Sequence, residues 1–228
     1  MRSTKENLQI LFEDNHIIAI NKRVGDIVQS DKTGDKPLSD IVKEYIKNKF
    51  NKPGNVFLGT VHRLDRPTSG IVIFAKTSKA LARLNKMLCD KNIQKTYWAV
   101  VKNVPKKEND TLISFLKKNS KNNKSSVFKR EIEGGKRAVL HYKMIKKLDH
   151  YYLLEVDLET GRHHQIRAQL ASIGSPIKGD LKYGFDRSNK NGGIHLHARK
   201  IEFIHPVSKE NSIISAPTPD EVIWNACL

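Results

Sequence analysis

The sequence predicts an α+β fold in which a mixed, mostly antiparallel sheet is flanked by helices. Short apolar segments typical of strands outnumber the helical segments along the 228 residues. Several of these strands are separated only by short turns, and this favours antiparallel pairing because parallel pairs need longer crossovers. The chain is long enough to bury its own core, and we expect residues 1–228 to form one domain of two fused subdomains.

The first half of the chain alternates strands with two helices. Residues His16–Asn21 and Ile71–Ala75 are short, apolar and rich in β-branched side chains, which indicates buried strands. Apolar residues spaced three and four apart predict a helix over Pro37–Phe50, where proline is tolerated in the first turn. The same spacing predicts a second helix over Ser78–Lys91, with Ser78 as its N-cap.

The second half is richer in strands. Residues Ile93–Lys102 are predicted to form a strand that has Tyr97 on its alternating apolar face. Two further strands, Lys136–Lys147 and Tyr151–Glu159, are expected to pair as a hairpin. The remaining predicted elements are a short helix over Gln165–Ile173 that Gly174 ends and a late strand over Gly193–Phe203.

Charge is the strongest compositional signal. The chain has 41 Lys and Arg against 24 Asp and Glu, a net charge of +17 with a pI of about 9.8. Such an excess indicates a nucleic-acid partner, because cations released from the phosphate backbone drive association. Binding to a membrane surface is the competing explanation, but the basic residues line no single amphipathic helix. No apolar run approaches the roughly 20 residues of a membrane span.

Cysteines, histidines and the N-terminus give little sign of other functions. Cys89 and Cys227 are the only cysteines, so no disulfide framework is expected, and the N-terminus lacks the features of a signal peptide. We therefore expect a cytoplasmic protein. The adjacent His163–His164 pair should point in different directions, and the alternating His195 and His197 have no Cys or carboxylate cluster beside them. We expect no metal.

The segment Lys117–Lys129 is polar and rich in lysine. It is most simply a solvated loop or hairpin tip. The alternative is a loop that grasps RNA.

One short motif isolates a single carboxylate. In HRLDRPTSG, residues His62–Gly70, Asp65 lies between Arg63 and Arg66 in a loop that glycine closes. A predicted buried strand follows, so we expect Asp65 at the mouth of the sheet. Its basic neighbours favour the ionised form, which suits a nucleophile or base that acts on a polyanion. An Asp that caps a turn and pairs with a nearby Arg would leave the same pattern.

A second motif favours the catalytic interpretation. Residues Leu158–Gly184 read LETGRHHQIRAQLASIGSPIKGDLKYG. Together with HRLDRPTSG, this segment resembles the RluA-type family of RNA pseudouridine synthases. The segments LFEDNHIIAINKRVG, KTYWAVV and HLHARKIEFIHP resemble the family's opening, tyrosine and closing segments, in the expected order. The resemblance spans nearly the whole chain and implies the pseudouridine synthase fold with a central active-site cleft.

The resemblance implies an isomerase that converts specific uridines of structured RNA, either rRNA or tRNA, to pseudouridine. The N1–C1′ bond breaks and the base rejoins the sugar through C5, without redox change or net hydrolysis, so no cofactor is expected. The essential carboxylate would be Asp65, and three routes stay open: attack on the base, attack on C1′, or help in removing a 2′ proton. The target base would be flipped out or already unpaired.

The resemblance also implies the other residues of the site. Tyr97 matches the tyrosine whose ring stacks on the target base, and such stacking is worth about 1–3 kcal/mol per base. Arg167 matches the arginine that pairs with the catalytic Asp, and Leu196 matches an apolar residue that packs the pocket. We expect RNA as the partner of a monomeric enzyme. The basic residues assigned to RNA contacts or to structuring the motif loops are Arg63, Arg66, Arg162 and Lys178.

Three positions depart from the family pattern. Arg23 stands where the opening loop usually has proline, His163 where a small hydroxyl residue is common, and Gln169 where histidine is common. These changes bear on substrate preference and leave the assigned site residues intact. We expect no N-terminal S4 domain, because the chain before the first motif is too short for one. Two other functions stay open: a non-catalytic RNA-binding or RNA-folding protein, and a glycosidase-like enzyme acting on nucleic acid.

Overall fold

The computed structural model describes residues 2–31 and 33–228 and shows eleven strands and four helices in these residues. The strands are β1 (Ile10–Glu13), β2 (Ile17–Lys22), β3 (Gly59–Thr60), β4 (Ser69–Ala75), β5 (Ile93–Val101), β6 (Asn109–Asn119), β7 (Lys124–Phe128), β8 (Lys136–Lys147), β9 (Tyr152–Leu158), β10 (Leu196–Ile204) and β11 (Asn211–Ser215). The helices are α1 (Leu38–Lys49), α2 (Ser78–Cys89), α3 (Gln165–Ser172) and α4 (Val222–Cys227).

The chain divides into two compact units. The first contains residues 1–93 and 198–219, and the second contains residues 94–197 and 220–228. The strand pairs with a defined register, such as β2–β4 in the first unit and β8–β9 in the second, are antiparallel. The predicted α+β class and mostly antiparallel pairing are therefore confirmed. Among the described residues, no helix has both the length and the apolar character that spanning a membrane requires.

In the first unit, β2 and β4 form the centre of the sheet. Every residue of both strands is buried, which explains the continuous apolar runs Ile17–Ile20 and Ile71–Ala75 in the sequence. The odd-numbered apolar residues of these strands form a core cluster with Ala80 and Leu84 of α2: Ile17, Ala19, Ile71, Ile73 and Ala75. The N-cap of α2 is Thr77, whose hydroxyl accepts a hydrogen bond of 3.2 Å from the Ala80 N–H. The predicted cap, Ser78, is instead the first helical residue.

In the second unit, the strands lie in the order β5–β9–β8–β6–β7. The predicted hairpin of Lys136–Lys147 with Tyr151–Glu159 is confirmed as β8 and β9. Most of the Lys117–Lys129 segment is strand: β6 and β7 pair with each other, and only a short tip connects them. Helix α3 packs on one face of this sheet, where Ala168 contacts Leu116 and Ala138.

Gly70, at the end of the HRLDRPTSG motif, is required by the packing of the first unit. Its φ is +110°, and a Cβ built there would lie 2.4 Å from the backbone oxygen of Ala198 in β10. Gly70→Ala therefore combines backbone strain with a clash against backbone, and we expect it to lower the free energy of unfolding by more than about 2 kcal/mol. Urea denaturation measures this loss.

Gly174→Ala is the matched control. Gly174 also has a positive φ, +84°, but nothing lies within 4 Å of a Cβ built on it. Gly174→Ala should lower the free energy of unfolding only by the cost of the left-handed backbone, about 1–2 kcal/mol. Equal losses in the two variants would contradict the role of the β4–β10 contact.

Candidate active site

The loop that carries Asp65 is held in place by a buried lysine. The side chain of Lys22, at the end of β2, is fully buried. Its ammonium donates to the backbone oxygens of Arg23 and Asp26 at 2.9 Å and of Arg66 at 3.3 Å. The Gly25 N–H also donates to the Arg66 oxygen, at 2.9 Å. The NKRVG loop and the HRLDRPTSG loop are therefore joined through the residue that follows Asp65.

The charge of Lys22 is part of this arrangement. Burial lowers the pKa of Lys22 from 10.5 to about 7, although the negative charges of Asp26 and Asp65 oppose this shift. Asp26 is itself fixed, because its carboxylate accepts from the backbone N–H of Ser3 at 3.0 Å and from the Ser3 hydroxyl at 2.6 Å. The half-buried Asp65 is thus close enough to the buried Lys22 for its charge to raise the pKa of that lysine.

The two arginines beside Asp65 have different surroundings. Arg63 is exposed, whereas Arg66 is half-buried. Arg66 forms an ion pair with Asp35 at 2.5 Å and a longer one with Asp31 at 3.5 Å. Its guanidinium also donates to the Thr33 hydroxyl at 2.7 Å. These contacts favour the structuring role for Arg66, while an RNA contact by either arginine stays a prediction.

Tyr97 lies on the face of the second unit's sheet that α3 covers. In the register of the sheet, Tyr97 is opposite Val156 of β9, which is opposite Tyr142 of β8. Side chains alternate along a strand, so Tyr142 shares its face with Ala138, and Ala138 packs against α3. Tyr97 and the helix that carries Arg167 are therefore on the same side of this sheet.

Arg167 is held by the carboxylate of Asp180, which was not among the predicted site residues. Its Nε donates to one oxygen of Asp180 at 2.7 Å, and its Nη2 donates to the other at 2.9 Å. Both side chains are almost completely buried, with 6% and 1% exposed. The guanidinium also lies 5.2 Å from the centre of the Tyr183 ring. The predicted pairing of Arg167 with Asp65 would join the two units and stays a prediction.

The loop before α3 is built around two stacked histidines. The rings of His163 and His164 are 3.8 Å apart, although adjacent side chains in a helix or strand should diverge. They stack because His164 has a left-handed backbone, with φ +53°. Nδ1 of His164 is 3.0 Å from the Tyr183 hydroxyl, which accepts from the Ser125 N–H at 2.7 Å. The β6–β7 hairpin is thereby attached to the loop that leads into Arg167.

Gln165 fixes the start of α3. Its carbonyl oxygen accepts from the Arg162 N–H at 3.0 Å and from the Thr160 hydroxyl at 2.8 Å, and its amide donates to the Val139 oxygen at 3.0 Å. The exposed Arg162 turns back to β8, where its Nε donates to the Arg137 oxygen at 2.9 Å. The QIR segment is therefore attached to the N-terminal end of β8.

Lys178 and Leu196 lie in another part of the second unit, next to His195. Lys178 donates to the side-chain oxygen of Asn189 at 2.6 Å, and the Asn189 amide is 3.0 Å from Nδ1 of His195. Burial, together with the charge of Lys178, lowers the pKa of His195 to about 3, so this ring is neutral. Leu196, the next residue, is buried. The ring of His195 stacks on that of Trp224, 5.2 Å away.

The predicted site residues thus fall into two groups. Asp65, with its neighbouring arginines, belongs to the first unit, and the rest belong to the second. Within the second unit, the sheet register brings Tyr97 to the side of α3. Lys22, Asp180 and Tyr183 were not predicted as site residues. Lys22 lies in the NKRVG loop, and Asp180 and Tyr183 lie in the GD and YG pairs of the GSPIKGDLKYG segment, which could have indicated them.

Removing the charge of Asp180 tests the buried pair. Asp180→Asn leaves the Arg167 guanidinium buried without its counter-charge, and such a change costs about 3–5 kcal/mol. The matched control is Asp186→Asn, because Asp186 pairs with Lys102 while 64% exposed, and we expect a loss below about 1 kcal/mol. Urea unfolding measures both, and similar small losses would show that the Arg167–Asp180 pair does not stabilise this unit.

The pKa of Lys22 predicts a pH dependence of stability. The folded chain releases this proton near pH 7 and the unfolded chain near pH 10.5. Between these values the unfolded state binds more protons, so the free energy of unfolding should rise as the pH is raised through this window. Lys22→Met should flatten the rise, whereas Lys79→Met, on the exposed side of α2, should keep it. If the free energy of unfolding rose equally with pH in the wild type, Lys22→Met and Lys79→Met, the low pKa of Lys22 would be contradicted.

Known proteins are similar to this chain over most of its length. Residues 16–172 match the family described as RNA pseudouridylate synthase. The chain is 33% identical over 226 residues to ribosomal large subunit pseudouridine synthase D of Zymomonas mobilis, covering 94% of this chain and 70% of that relative. It is 28% identical over 231 residues to tRNA pseudouridine synthase C of Vibrio parahaemolyticus, covering 93% of this chain and 91% of that relative.

A solved structure shares the fold. Human RNA pseudouridylate synthase domain containing 4 superposes with a TM-score of 0.79 at 21% identity, covering 96% of this chain and 92% of that one. At this identity the likeness concerns the fold, and it confirms the predicted pseudouridine synthase fold. The match over residues 16–172 includes both HRLDRPTSG and GRHHQIR. With these motifs on its anchored loops, the chain belongs to the RNA pseudouridylate synthase family, in the RluA-type branch that they indicate.

Proposed function

We propose that this protein isomerises specific uridines of structured RNA to pseudouridine, with rRNA or tRNA as the substrate. The observation that carries the proposal is the single carboxylate of Asp65 in a loop that Lys22 anchors from within the core. The relatives in Zymomonas mobilis and Vibrio parahaemolyticus carry the names of an rRNA and a tRNA enzyme, respectively. Both RNA classes are therefore candidate substrates.

The reaction needs few groups because it is an isomerisation. The N1–C1′ bond breaks, a C5–C1′ bond forms, the C5 hydrogen leaves to solvent, and N1 takes up a proton. No electrons are gained or lost, so the proposal includes no cofactor. The enzyme has to supply one carboxylate, exclude water and hold the detached base until it has turned. We assign the carboxylate to Asp65.

The second unit supplies groups suited to holding the base and its strand. Tyr97 is assigned to stacking on the target base, and Leu196 to the apolar wall of its pocket. Arg167 is assigned to orienting Asp65, and its own guanidinium is held by Asp180 and lies over the Tyr183 ring. Arg63, Arg66, Arg162 and Lys178 are assigned to RNA contacts or to structuring the loops around the site.

The net charge of +17 supports an RNA partner. Exposed lysines of the β6–β7 hairpin, Lys118 and Lys121 among them, add to the basic surface near the loop that leads into Arg167. Because a base inside a duplex is out of reach, the target uridine is flipped out or lies in a loop. The proposal treats the chain as one catalytic domain of two fused subdomains that acts as a cytoplasmic monomer.

Tritium release from RNA labelled at uridine C5 tests the proposal, because forming the new bond expels that hydrogen. We expect release with the wild-type protein and a loss of at least about 10³-fold with Asp65→Asn, with RNA affinity changed no more than a few-fold. Separate rRNA and tRNA pools identify the substrate.

Asp149→Asn is the control for loss of a carboxylate, since Asp149 is exposed in the turn between β8 and β9. It should retain full release. Release by Asp65→Asn at the wild-type rate would exclude Asp65 as the catalytic group. No release by the wild type on either pool, with tight RNA binding, would favour the non-catalytic RNA-binding alternative.

A further inference from the structure

Lys95, two residues before Tyr97, is a half-buried lysine with no partner. Among residues 2–31 and 33–228, no hydrogen bond or ion pair engages its ammonium. Burial alone lowers the pKa of Lys95, with no neighbouring carboxylate to oppose the shift. The ammonium lies beside the motif loop, since a Cβ built on Gly161 would be 3.5 Å from Nζ of Lys95.

Three other lysines that are buried or half-buried have partners within the chain. Lys22 donates to three backbone carbonyls, and Lys178 donates to Asn189. Lys76 forms an ion pair with Glu13 at 2.9 Å. Withdrawing an ammonium from water is costly unless it is paired or hydrogen-bonded. Lys95 differs from these three because its side chain is half-buried and no described residue offers its ammonium a hydrogen bond or an ion pair.

The position of Lys95 suits a ligand of the catalytic site. Residues Lys95 and Tyr97 are two apart on β5, so both lie on the face that α3 covers, about 6–7 Å apart along the strand. The ammonium is also beside Gly161, at the start of the GRHHQIR loop that leads into Arg167. An anion bound here would therefore lie next to a base stacked on Tyr97.

We propose that Lys95 binds a phosphate group of the RNA strand that carries the target uridine. The choice of an RNA phosphate rests on the proposed function, because the base on Tyr97 would bring its own backbone to this distance. A phosphodiester supplies the counter-charge that the protein omits, and it does so only when substrate is present. Lys95 is thus a substrate-binding residue, placed to hold the strand while the base turns.

Binding of uridine monophosphate and of uridine by the wild type and Lys95→Met tests the proposal by calorimetry. The two probes differ only in the phosphate, so their affinity ratio isolates its contact. We expect the wild type to favour uridine monophosphate by about 10-fold or more, as for a hydrogen bond to a charged group. Lys95→Met should lose most of that preference, and Lys95→Arg should keep part of it. For single-stranded RNA, Lys95→Met should lower the salt slope by about 0.7.

Stability separates a binding role from a structural one. Removing an uncompensated charge should raise the urea midpoint of Lys95→Met, whereas removing a structural group should lower it. Lys79→Met, exposed on α2, should change neither stability nor the affinity ratio. An unchanged ratio in Lys95→Met, or a variant that is less stable or fails to fold, would overturn the proposal. These measurements need no turnover, so their outcome is independent of whether Asp65 proves catalytic.

Discussion

The ammonium of Lys22 holds together the part of the first unit on which the candidate site depends. It is fully buried at the end of a central strand, and it donates hydrogen bonds to carbonyls of two separate loops. One of these carbonyls belongs to Arg66, next to Asp65. A carboxylate in a surface loop would normally sample many positions. Here the loop is attached to a charge that is costly to bury and therefore has to keep its partners.

In the second unit, the buried cation that holds a motif loop is an arginine, Arg167. Asp180 holds two nitrogens of Arg167, and the guanidinium lies over the Tyr183 ring, 5.2 Å from its centre. The hydroxyl of Tyr183 then accepts from Ser125, so the arginine, the GDLKYG segment and the β6–β7 hairpin form one assembly. In each unit a buried cation with several partners fixes a motif loop. Lys95 differs from both, because no described residue pairs with its ammonium, and we propose that an RNA phosphate does.

The regular elements with strong periodicity were predictable. Strands β2 and β4 are buried on both faces and each contains an apolar run, and α1 and α2 have apolar residues at helical spacing. The β6–β7 hairpin was not predicted as strand, because its lysines face solvent and leave no alternating apolar pattern. Helix α4 was missed as well, since six residues are too few to show a period.

The sequence by itself determined the family, the order of the motifs and the identity of the assigned residues, because these depend on which side chains follow one another. Tertiary structure decided which charges meet. Asp180 is thirteen residues from Arg167, and Arg66 is forty-four from Lys22, so neither pairing follows from local spacing. The stack of His163 on His164 likewise depends on a left-handed residue that packing imposes. Long-range partners are set by how strands and loops pack, and only the folded chain brings them together.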